Sequence, residues 1–134
     1  MMRIAAAVIA TMVLVATSAG AEQTFPDLKG TWTGTGDGVF VALPGAVTDA
    51  RFAEVGIKLV IKQQQARRFS GTITMSGEAR PVVGVIRFDG GILWSEPSGF
   101  VEGRLSDENT FEGCFARISS FSQLAACEIL KRQK

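Results

Sequence analysis

Arg68-Phe69-Ser70-Gly71-Thr72-Ile73-Thr74-Met75 alternates in period two, with Phe69, Gly71, Ile73 and Met75 on one face and Arg68, Ser70, Thr72 and Thr74 on the other. That spacing belongs to a half-buried strand, since an amphipathic helix repeats its apolar residues every three to four positions. Just upstream, Ile57-Lys58-Leu59-Val60-Ile61-Lys62 sets Ile57, Leu59 and Ile61 on one face in the same way. Just downstream, Pro81 opens Val82-Val83-Gly84-Val85-Ile86-Arg87-Phe88. Proline is tolerated at a strand start, where no ladder donor is needed. Asp89-Gly90 then suits a type I′ hairpin turn leading into Ile92-Leu93-Trp94.

The pattern extends to both ends of the chain. Leu28 to Thr35 and Val39 to Leu43 read as early strands around a Gly36-Asp37-Gly38 turn. Phe100 to Leu105, Thr110 to Arg117 and roughly Ala125 to Lys131 read as late ones, separated by Glu96-Pro97-Ser98-Gly99 and Ser106-Asp107-Glu108-Asn109 turns. Eight or nine short strands joined by tight turns indicate a sandwich or barrel. Sequential hairpins favour a single antiparallel up-and-down β-barrel of about eight strands, which leaves no open sheet edge. Residues 36–56 break the rhythm and are expected to form a long loop, part of it alternatively a short helix with Thr48 as N-cap.

The first residues carry a different message. Arg3 precedes an apolar run from Ile4 to Ala16, followed by the small residues Ala19-Gly20-Ala21. This is the layout of a secretory signal peptide, residues 1–21, with cleavage expected after Ala21. The apolar run falls short of the ~20 residues that span a bilayer, so no integral membrane segment is expected after cleavage. No cysteine follows the run to take a lipid. Residues 22–134 are then one domain, exported to the periplasm or the medium.

Export bears on the two cysteines, Cys114 and Cys127. Oxidising compartments favour a bridge between them, contributing about 3 kcal/mol by chain entropy; two free buried thiols are the alternative. If the bridge joins opposed positions, the intervening turn centres on Ser120-Phe121.

Composition excludes several functions. Lys and Arg number 14 against 13 Asp and Glu, and loss of Arg3 with the leader brings the two level. Nothing here provides the basic footprint of a nucleic-acid binder. Histidine is absent, which removes Ser-His and Cys-His nucleophile pairs and the usual zinc sets. No metal or cofactor is expected, and no catalytic motif is present. Carboxylate chemistry is what remains for an enzyme, through Glu102, Glu112 or Glu128. Glu128 interrupts the apolar run from Leu124 to Leu130; the expectation is that it faces water, with Cys127 and Ile129 inward. Buried instead, it would call for a partner such as Arg117 or Arg104.

Leu28-Lys29-Gly30-Thr31-Trp32 resembles the Gly-x-Trp signature of calycins, the superfamily of lipocalins, avidins, fatty-acid-binding proteins and bacterial metalloprotease inhibitors. The resemblance covers only the two ends of the mature chain. It implies that Trp32, after Gly30, closes one barrel end and packs under a late cation, Arg132 or Lys131, in a cation–π contact of about 1 kcal/mol. Tyrosine is absent, which takes away part of the set with which avidins hold biotin. Glu22 to Pro26 resembles the free arm that the metalloprotease inhibitors insert into a protease cleft.

Two functions follow as expectations. The first is non-catalytic binding of one small apolar ligand inside the barrel, lined by Trp94, Phe100 and Phe40 with Glu96 near the mouth. The bland alternative makes these aromatics ordinary core residues. The second is a protein-interaction module or protease inhibitor of the cell envelope, working through the N-terminal arm and the Arg51-Phe52 region.

Overall fold

A computed structural model describes residues 23–134, and the expected signal peptide lies outside them. Eight antiparallel strands follow one another around a closed barrel: β1 (Gly30–Ala42), β2 (Arg51–Gln65), β3 (Arg68–Met75), β4 (Glu78–Ile86), β5 (Ile92–Glu96), β6 (Gly99–Asp107), β7 (Thr110–Ile118) and β8 (Ser122–Arg132). Each pairs with its neighbours in sequence, and β1 closes the ring on β8, from Trp32 opposite Arg132 to Ala42 opposite Ser122. The all-β up-and-down barrel is therefore the fold.

Residues 36–56 differ from the expected long loop. β1 runs through the Gly36-Asp37-Gly38 segment and β2 begins at Arg51, leaving only a short connection that contains a 3-10 turn at Val47–Asp49. The reason is steric. Trp32, Gly34, Gly36, Gly38 and Phe40 share the inward face of β1, and a Cβ at position 38 would come within 2.7 Å of the Ala126 Cβ. Glycines here permit close approach to β8 instead of turning the chain.

The Asp89-Gly90 hairpin is also wider than a two-residue type I′ turn. Residues 87–91 connect β4 to β5, with Gly90 at φ 86° and Asp89 Oδ1 accepting from the Gly91 N–H.

Cys114 and Cys127 are directly opposed on β7 and β8 and form a disulfide on the outer face. That placement reverses the expected orientation of β8. With Cys127 and Ile129 outside, Leu124, Ala126, Glu128 and Leu130 turn inward. Glu128 is only 6% exposed.

One half of the barrel is solid. Trp32, Ile61, Phe69, Trp94, Phe111 and Leu130 are all buried there, and the Trp94 ring lies 4.7 Å from Phe111 and edge-on to Phe69 at 6.5 Å. Trp32 Nε1 donates to the Leu28 carbonyl at 2.9 Å, satisfying the one polar atom of a ring otherwise committed to packing. Arg132 rather than Lys131 covers it, 4.3 Å above the ring, and donates to the carbonyls of Lys29 and Asp27.

Candidate functional site

The other half is hollow. Between the β1–β2, β3–β4, β5–β6 and β7–β8 connections the interior opens into a cavity of about 420 Å³. That volume lies within the range of small-molecule sites, about 300–1,000 Å³. An eight-strand barrel is wide enough to be filled by side chains or to hold one small ligand. This one does each in a different half.

The hollow follows from side-chain size. β1 offers Gly36 and Gly38 to the cavity, β2 offers Ala53 and Val55, and β8 offers Ala126. A Cβ at Gly36 would crowd Ile57 Cδ1 at 3.0 Å and Glu128 Cβ at 3.6 Å, so the glycine also lets these two side chains stand close to β1. Phe40, Met75, Val101 and Phe115 supply larger apolar wall.

Two carboxylates interrupt that wall. Glu96 ends β5 facing inward at 8% exposure, and Glu128 faces inward from β8. Glu96 Oε1 accepts from Ser98 Oγ at 3.1 Å, and Ser98 Oγ in turn accepts from Arg80 Nη1 at 3.1 Å. Arg80 is also ion-paired with Glu78 at 2.6 Å. Glu96 Oε2 and Glu128 Oε1 are buried without a hydrogen-bond partner. Burial, and secondarily the field of Glu96, pushes the Glu128 carboxyl up from 4.5 to about 7.

Neither arginine expected to serve Glu128 pairs with it. Arg104 is exposed, and the Arg117 guanidinium stands 5.9 Å from the Phe40 ring centre with its buried Nε unpartnered. Glu102 is on the outer surface, ion-paired with Arg87, and Glu112 is likewise exposed.

The residues expected to line the interior separate into three groups. Phe40 and Glu96 are on the cavity wall. Trp94 faces inward but belongs to the packed half, two residues deeper on β5 than Glu96. Phe100 points outward and is 49% exposed, because its neighbour Val101 takes the inward position on β6. It joins Val83 and Leu93 in an apolar depression on the outer surface. Sequence reasoning set Glu128 outside, placed Gly36 in a turn and gave no role to Val55 or Phe115, all cavity residues.

The N-terminal segment is fastened to the closed end over part of its length. Phe25 packs against the core, Gln64 Nε2 donates to the Pro26 carbonyl at 2.8 Å, and Gln64 Oε1 accepts from the Leu28 N–H at 2.7 Å. Among the described residues no helix is long and apolar enough to cross a membrane, and no cluster of three or more Cys, Asp or Glu is placed to hold a metal.

No family model matches the chain, and no curated protein matches it. Solved structures do. A protein of unknown function from the DUF3598 family of Nostoc punctiforme superposes with a TM-score of 0.58 at 12% identity, over 88% of this chain and 53% of that one. The chain thus spans about half the length of that protein. The S-type phycobiliprotein lyase CPES of Guillardia theta gives a TM-score of 0.47 at 10% identity, over 80% of this chain and 89% of that one. At 12% identity the likeness to the Nostoc protein is one of fold.

Proposed function

We propose that the protein is an exported, non-catalytic barrel that holds one small, largely apolar molecule in its open half. The observation that carries this reading is the 420 Å³ cavity beside a fully packed half. A chain selected only for stability fills its interior, because each unfilled volume forfeits packing energy. Here the inward positions at 36, 38, 53 and 126 are Gly or Ala while the same strands carry Trp32, Leu59 and Leu130 in the closed half. Export is supported by the leader-like residues and by a disulfide bond. A place among the calycins is supported by Gly30, Trp32 and Arg132 acting together at the closed end. The absence of histidine favours binding over catalysis.

Titration with the neutral apolar fluorophore N-phenyl-1-naphthylamine tests the reading. The native protein is expected to bind it with 1:1 stoichiometry and enhanced emission. Ala126→Leu, which projects into the cavity from a regular strand position, is expected to weaken binding at least about tenfold with the fold intact by circular dichroism. Val55→Phe, from a half-buried position on the cavity wall, is the second filling variant. Undiminished binding by both folded variants would move the site elsewhere.

A protein-interaction role is the second reading. It is favoured by Phe52, 83% exposed next to Arg51 near the mouth. Envelope cross-linking through position 52 that captures one protein, with no fluorophore binding, would support it.

A further inference from the structure

Buried polar atoms in folded proteins almost always find partners, so orphans that face a cavity describe what the cavity lacks. Glu96 Oε2 and Glu128 Oε1 are two such acceptors on side chains more than nine-tenths buried. They lie within each other's field, on β5 and β8.

No cation among the described residues hydrogen-bonds to either carboxylate, although Arg80 lies within the field of Glu96 and reaches it through Ser98. Gly36 comes from β1, Val55 and Ile57 from β2, Met75 from β3 and Val101 from β6, all uncharged. Arg80 of β4 is committed to Glu78 and Ser98. Arg117 of β7 stands toward Phe40, and Arg51 is exposed at the start of β2.

We infer that the ligand is a small amphiphile headed by a primary ammonium, its head held between Glu96 and Glu128 and its apolar body against Phe40, Val55 and Phe115. This rests on the cavity being the ligand site. An ammonium brings three N–H donors, enough to serve both orphaned oxygens, and a positive charge that offsets one of the two carboxylates. An alcohol brings one donor for two acceptors. A carboxylate would be repelled from the pair and left to Arg117 or Arg51.

Binding of this kind is coupled to a proton. Glu128, pushed up to about 7, is mostly protonated at pH 6, and an ammonium beside it favours its ionised form. The amine therefore displaces one proton from Glu128 at pH 6 and almost none at pH 8.5. The ligand's own ammonium, with a pKa near that of lysine, stays charged throughout.

Isothermal titration of the native protein with octylammonium, octanol and octanoate, in buffers of differing ionisation enthalpy, tests the inference. Octylammonium is expected to bind tightest and about tenfold tighter at pH 8 than at pH 6. Glu128→Gln is expected to lower its affinity about tenfold or more at pH 8 and to flatten the pH dependence, while octanol binding is kept. Glu96→Gln is expected to lower the amine affinity alone. Equal affinities for the three probes would overturn the ammonium assignment and leave the cavity reading standing. So would a preference for octanoate that Arg117→Gln abolishes. Failure of all three probes, with N-phenyl-1-naphthylamine also unbound, would overturn both.

Discussion

Glu128 imposes a stability cost that varies with pH. Its folded value, about 7, stands above its ordinary 4.5 because the site withholds water from the carboxylate. Below pH 4.5 the group is protonated in both folded and unfolded chains and costs nothing. Between 4.5 and about 7 the unfolded chain ionises first, so stability falls as pH rises through that window and stays lower above it. The loss is about 3 kcal/mol at most, since each tenfold bias against ionisation amounts to ~1.4 kcal/mol. Glu128→Gln removes the ionisation and keeps the shape. Urea unfolding is expected to find the variant level with the native protein near pH 4 and more stable by about 2–3 kcal/mol at pH 8. Parallel stability curves for the two proteins would show that Glu128 is solvated in the folded state. Retaining a residue with such a cost makes sense where a ligand repays it. Arg132 shows the opposite economy, since its guanidinium meets a ring and backbone carbonyls at once.

At the level of the strand, the disulfide and the glycine stripe explain what was legible in the sequence. β3 was readable because its inward residues are apolar and its outward ones polar, and the structure agrees at Phe69 and Ile73. β8 was not. Its inward Leu124, Ala126 and Leu130 and its outward Ala125, Cys127 and Ile129 are equally apolar, so periodicity gave no preference between faces. The bridge lies outside and leaves Glu128 within. β1 misled for a related reason, because Gly34, Gly36 and Gly38 occupy inward positions without registering as hydrophobic. A hollow is hard to read from sequence when the residues that make it are the ones that carry no side chain. The bridge also makes a measurable prediction. It ties β7 to β8 across a separation of 13 residues, and Cys114→Ala with Cys127→Ala is expected to cost about 2–3 kcal/mol in urea unfolding. The same pair reports the compartment. Expressed from Met1, the protein is expected under the export proposal to be recovered outside the cytoplasm beginning at Glu22 and lighter than its reduced form by two hydrogens. A chain that retains the leader or both thiols would sink the export proposal.

Across the whole molecule, polarity and packing are each distributed with a direction. The outer surface carries Lys58, Lys62, Arg104 and Glu112 on mid-strand positions while the interior is mainly apolar. That is the inverse of a membrane-spanning barrel, which turns an apolar band outward and a polar lumen inward. Along the axis, the closed half combines two tryptophans, Phe69, Phe111 and the Leu28 and Arg132 contacts, whereas the open half surrounds a cavity. Local opening costs least where few apolar contacts must be broken. Amide hydrogen exchange along β2 is therefore expected to divide by position, since this strand runs the length of the barrel and does not carry the disulfide. Leu59 and Ile61, over the packed half, should exchange more slowly than Ala53 and Val55 by at least about tenfold, or ~1.4 kcal/mol of opening free energy. Octylammonium at saturation should raise protection at Ala53 and Val55 and leave Leu59 and Ile61 unchanged, because a ligand stabilises the segment that closes around it. Uniform protection along β2, with or without the amine, would mean that the barrel opens as one cooperative unit. The open half would then be no looser than the closed one, and its cavity no more than a packing defect.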